Sequence, residues 1–78
     1  MLAYVLARVE AGRDREVFNE IKKLKEIKKA SATYGMYDLH IEVTVDRVED
    51  LDAFVFDKVR KIPGVKETVT MIASEILI

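Results

Sequence analysis

The sequence predicts an α+β domain of ferredoxin-like βαββαβ architecture: a four-stranded antiparallel sheet of order 4-1-3-2 with two helices on one face. Three observations predict it. Four segments have strand chemistry, two have a helical apolar period, and their order fills all 78 residues with one domain, 1–78. Right-handed crossover of each strand–helix–strand unit then places both helices on the same side of the sheet.

Leu2 to Val9 is the first strand, with Tyr4, Leu6 and Arg8 on one face and Ala3, Val5, Ala7 and Val9 on the other. Ala11-Gly12 breaks it. From Arg13 to about Lys25 the period becomes helical, with Val17, Ile21 and Leu24 as the apolar stripe and Phe18 beside it. Ile27 to Tyr34 is a more polar strand whose lysines suit a sheet edge. Gly35 to Asp38 supplies a tight turn. Leu39 to Val45 alternates cleanly, Leu39, Ile41, Val43 and Val45 against His40, Glu42 and Thr44.

Asp46 and Glu49 have the spacing of a helix-start capping pair. The second helix runs to about Lys61 on a stripe of Val48, Leu51, Val55, Val59 and Ile62, with Phe54 and Phe56 projecting to either side. At least one of these phenylalanines therefore needs a further partner surface. Pro63-Gly64 ends the helix, and Val65 to about Ile76 is the last strand. It places Val69, Met71 and Ala73 on one face and Thr68, Thr70, Ile72 and Ser74 on the other.

Half of the residues are hydrophobic and about a third are charged, which is the composition of a folded domain and not of a disordered tail. A domain this small buries a modest fraction of its surface, and with no cysteine it has neither disulfides nor a cysteine cage for zinc to add stability. Self-association remains. With both helices on one side, Tyr4, Leu6 and Ile72 are expected on the open sheet face, an uncovered apolar patch that calls for sheet-to-sheet dimerisation. Phe56 is expected at an oligomer contact as well.

A net charge of −1 provides no global field to draw the chain onto a polyanion, so direct nucleic-acid binding is not expected. No apolar run is long enough to span a bilayer and the first residues lack a basic leader, so a cytoplasmic protein without a membrane partner is expected.

Ala3-Tyr4-Val5-Leu6, Gly35-Met36-Tyr37-Asp38-Leu39, and Phe54-Val55-Phe56 leading to Ile62-Pro63-Gly64-Val65 and Thr68-Val69-Thr70 resemble, in order and spacing, the effector-binding (RAM) domain of Lrp/AsnC feast/famine transcription regulators. The resemblance covers essentially the whole chain. It implies a small-molecule effector, an amino acid above all, and dimers that assemble into an octamer or decamer. The helix-turn-helix domain usual in that family is not in this sequence, so the resemblance implies a stand-alone form, with a full-length Lrp/AsnC regulator as a possible partner. No cofactor is implied.

Gly35, Met36, Tyr37 and Asp38 form the first candidate ligand-binding group. Glycine permits positive φ, exposed N–H groups suit a ligand carboxylate, and Asp38 answers an ammonium group. An ordinary hairpin turn with Asp38 capping the loop explains the same residues. Thr68 and Thr70 share a face and offer hydroxyls; the resemblance places such a strand at a pocket between dimers, while strand propensity alone also accounts for them.

Asp38, His40 and Glu42 share one side of a strand, but i, i+2 side chains diverge and no second histidine exists, so no metal site is expected. Lys22, Lys23, Lys25, Lys28 and Lys29 coincide with a helix carboxyl end, where the dipole favours cations, and read as a solvated face. Catalysis has little to work with: His40 is the one neutral-pH proton carrier, and Ser31 and Ser74 are the only serines. A dimeric α+β barrel enzyme using His40 is the enzymatic alternative, and predicts an enclosed pocket around that residue. An interaction module that co-assembles with a DNA-binding regulator is the other. An RRM-like RNA binder is set aside because the central strand Leu39 to Val45 has no aromatic residue.

Overall fold

The computed structural model describes residues 1–78. The elements are β1 (Leu2–Val9), α1 (Asp14–Ile21), β2 (Ile27–Ala32), β3 (Leu39–Thr44), α2 (Val48–Phe54, continued by a π-helical stretch Val55–Val59) and β4 (Val65–Ile72). They form one antiparallel sheet of order β2-β3-β1-β4, which is the predicted 4-1-3-2 order read from the other edge.

Alternation in the two central strands decides the layers. In β1, Ala3, Val5, Ala7 and Val9 are buried while Leu2, Tyr4, Leu6 and Arg8 are half-buried. In β3, Leu39, Ile41 and Val43 are buried. These side chains meet Val17 and Ile21 of α1 and Leu51, Phe54, Val55, Val59 and Ile62 of the second helical segment in one core. Each fully buried Val, Leu or Ile contributes about 1.5–3 kcal/mol. The opposite face of the sheet has no helix over it.

Several expectations need correcting. The first helix ends at Ile21, not near Lys25: Lys23 N–H and Leu24 N–H donate to carbonyls only three residues back, so the chain tightens and turns toward β2. Asp46 and Glu49 form no capping pair; Arg47 is the N-cap, in extended conformation and without a side-chain cap. Val48 is exposed, and Phe54 is buried in the core. Phe56 is 53% exposed, with the Arg60 guanidinium over its ring at 5.0 Å. Strands β2 and β4 are shorter than predicted, ending at Ala32 and Ile72.

The most consequential correction concerns the faces of β4. Leu6 lies opposite Val69 and Tyr4 opposite Met71, whereas Ala3 lies opposite Ile72, Val5 opposite Thr70 and Ala7 opposite Thr68. Directly opposed residues share a face. Ile72 therefore belongs to the helix side and not to the open face, and Thr68 and Thr70 go with it. Apolar residues occur on both faces of this edge strand, so hydropathy alone could not orient it.

Candidate functional site

The segment Thr33 to Asp38 is a loop closed on itself. Thr33 N–H donates to the Asp38 carbonyl at 2.9 Å and Thr33 Oγ1 donates to the Tyr37 carbonyl at 2.8 Å. Gly35 sits at φ +117°, a conformation closed to most side chains. Tyr34 is fully exposed and Met36 largely so. The backbone N–H groups of Gly35, Met36 and Tyr37 donate to no group of the chain. Unpaired backbone donors in a tight loop are the kind of group from which anion-binding concavities are built.

The base of the loop is fixed to the end of β1 by three successive residues. Asp38 N–H donates to the Ala7 carbonyl at 2.9 Å. The guanidinium of Arg8 lies over the Tyr37 ring, 5.3 Å from its centroid. Val9 N–H donates to Asp38 Oδ2 at 2.8 Å. One oxygen of the Asp38 carboxylate is thus committed to β1, not to its own loop as the hairpin reading supposed, and the other accepts no hydrogen bond from the chain.

Thr68 lies opposite Ala7, the residue whose carbonyl receives Asp38 N–H. The two candidate groups therefore reach the same end of the sheet on either side of β1, about two strand spacings or roughly 10 Å apart. Thr68 is half-buried and Thr70 exposed. No depression of this chain holds both groups. The depression nearest the loop, about 310 Å³, is lined by Asp14, Phe18, Ala32, Thr33, Tyr34 and Asp38 and opens toward α1 and β2. Sequence reasoning did not place Asp14, Phe18 and Thr33 beside the loop, because α1 and the loop meet only in the folded chain.

On the open face, Tyr4 and His40 stack with ring centroids 5.5 Å apart and planes at 18°. Leu6, Val69 and Met71 continue the apolar surface. No depression is lined by His40, so the enclosed pocket that the enzymatic alternative predicts around it is not formed within one subunit. Lys22 caps the end of α1. Of the neighbouring charges, Lys23 pairs with Glu20 at 2.7 Å, and Lys58 reaches Glu26. That contact with Lys58, helped by a backbone hydrogen bond, lowers the Glu26 pKa from its ordinary value.

Residues 2–78 match the family model described as the Lrp/AsnC ligand binding domain. The HTH-type transcriptional regulator FL11 of Pyrococcus abyssi is 39% identical over 72 residues, covering 92% of this chain and 47% of that protein. The chain spans about half the length of the curated relatives it matches. The crystal structure of FFRP-DM1 superposes with a TM-score of 0.85 at 42% identity, covering 92% of this chain and 96% of that one. The transcriptional regulator NMB0573 of Neisseria meningitidis, solved as an L-Met complex, shares the fold with a TM-score of 0.88 at 15% identity, over 97% of this chain and 51% of that one.

Proposed function

Because this chain belongs to the Lrp/AsnC ligand-binding domain family, we propose that it is a non-enzymatic, oligomerising module that binds a small effector of amino-acid type. Subunits pair through the open face, with Tyr4, Leu6, Val69 and Met71 at the contact. The effector's carboxylate meets the free N–H groups of Gly35, Met36 and Tyr37, its ammonium group meets Asp38, and hydroxyls such as those of Thr68 and Thr70 complete the polar shell.

One observation carries this reading: the loop and Thr68 converge on Ala7 from opposite sides, with Thr70 beside Val5, yet they enclose nothing together in one subunit. Because Thr68 and Thr70 lie on the helix side of β4, the pocket that joins them to the loop of another chain forms where open-face dimers meet one another. Phe56, exposed and stacked with Arg60 at 5.0 Å, suits a further contact between dimers. An effector at such a boundary shifts assembly only by its different affinity for the two states. Octamers or decamers, and mixed assembly with a full-length regulator, are the states such an effector would select among.

Thermal denaturation with each amino acid, L-methionine among them, tests this reading when coupled to sizing with and without each hit. A stabilising amino acid that also changes the assembly is the expected result. No shift with any of them removes the ligand class.

A further inference from the structure

We propose that Arg8 makes the order of the Gly35–Asp38 loop depend on whether a second subunit covers the open sheet face, a coupling that rests on the self-association proposed above. Arg8 ends the row Leu2, Tyr4, Leu6, Arg8 on that face. Its guanidinium lies over the Tyr37 ring at 5.3 Å, and its Nε is 3.3 Å from Glu67 Oε2. Nε is shut off from solvent without an aligned hydrogen bond. Charge and ring contact hold this group, and the strength of both depends on the surrounding dielectric.

The neighbours of Arg8 grip the same loop through the backbone, Ala7 by its carbonyl and Val9 by its N–H. Of the three, Arg8 alone points to the open face. Its side chain and that of Glu67 are 41% and 52% exposed, so in a lone subunit both side chains remain partly in water although Nε itself is covered. A second sheet laid over the face withdraws that water. The attraction between guanidinium and ring grows on desolvation, and Glu67 offsets the charge that becomes buried.

Tyr37 is then fixed, and with it the N–H groups of Gly35 and Met36. A coupling free energy acts in both directions, so a ligand that orders the loop tightens the contact between the sheets. Arg8 is a positioning residue in this scheme, acting through Tyr37 without touching the ligand.

Hydrogen exchange of the Asp38 and Thr33 amides, which donate to Ala7 and Asp38 at the base of the loop, tests this in the ligand-free chain, read across a dilution series that spans dissociation, with Leu6→Lys as the single-subunit reference. In the wild type, exchange slows severalfold as subunits associate. Arg8→Gln and Tyr37→Leu, shown by sedimentation to associate, lose that concentration dependence. Arg8→Lys recovers part of it by keeping the charge. A purely structural Arg8 would instead shift exchange in Arg8→Gln equally at every dilution, and that result overturns the proposal. Should Arg8→Gln fail to fold, the wild type and Tyr37→Leu decide alone. Equal exchange in associated and single wild-type subunits overturns the coupling while self-association stands. A wild type that stays single throughout overturns the proposed function and the coupling with it.

Discussion

The Asp38 carboxylate accepts the backbone N–H of Val9 at 2.8 Å across 29 residues of sequence, tying the base of the candidate ligand loop to the end of the first strand. A charged acceptor on a half-buried donor contributes about 1.5–3 kcal/mol. Asp38→Ala is expected to lose stability of that order, seen as a lower denaturation midpoint in urea, and to free the loop. Asp38→Asn retains an acceptor oxygen and loses less.

Gly64 joins a positive φ of +102° to a close approach: a Cβ there would lie 2.9 Å from Val17 Cγ2 and 3.2 Å from Arg13 Cβ. Its carbonyl also receives Glu10 N–H at 2.8 Å. Gly64→Ala pushes against a fully buried core valine and is expected to cost about 2–4 kcal/mol, combining overpacking with backbone strain. Gly35 has the same sign of φ with nothing within 4 Å of a built Cβ. Gly35→Ala therefore incurs strain alone, about 1–2 kcal/mol. Thermal unfolding of the two variants side by side measures the difference.

The face assignment of β4 yields a discriminating pair. Leu6→Lys places a charge in the middle of the open face and is expected to weaken self-association by more than about tenfold, the equivalent of 1.4 kcal/mol, with the far-ultraviolet circular dichroism preserved. Ile72→Lys lies on the helix side of the edge strand, where it changes association far less. Sedimentation velocity on both variants reads the contrast.

Glu26 links the α1–β2 connection to the second helical segment through Lys58. Its pKa is lowered in the folded chain, so the stabilisation is present above the unfolded-state pKa and is lost as pH falls through the folded one. Glu26→Gln is expected to lower stability at neutral pH by no more than about 1 kcal/mol, as for a partly exposed pair. The gap from wild type should close in acid. Urea denaturation at neutral and acidic pH checks the sign.

Strands with one buried and one wetted face are legible in the sequence by their alternation. Strand β3 alternates because Leu39, Ile41 and Val43 enter the core while His40 and Glu42 stay half-exposed; in β1 burial alternates too, but Leu2, Tyr4 and Leu6 make its open face apolar as well. Strand β4 is not legible in this way. Val69, Met71 and Ile72 put apolar side chains on both of its faces, and the choice between them is made by register with β1, including an irregularity between Arg8 and Val9 that no local pattern announces. At the site, the glycine turn can be read directly. The partners of Asp38 and Tyr37 cannot, because both lie in β1 and meet the loop only once the sheet has formed.

Sedimentation equilibrium of the wild-type chain at micromolar concentration tests the central claim most directly, since the shared pocket needs more than one subunit and the coupling through Arg8 needs a covered open face. A mass of two subunits or a multiple of two is predicted. The mass of one subunit throughout the concentration range would contradict the account.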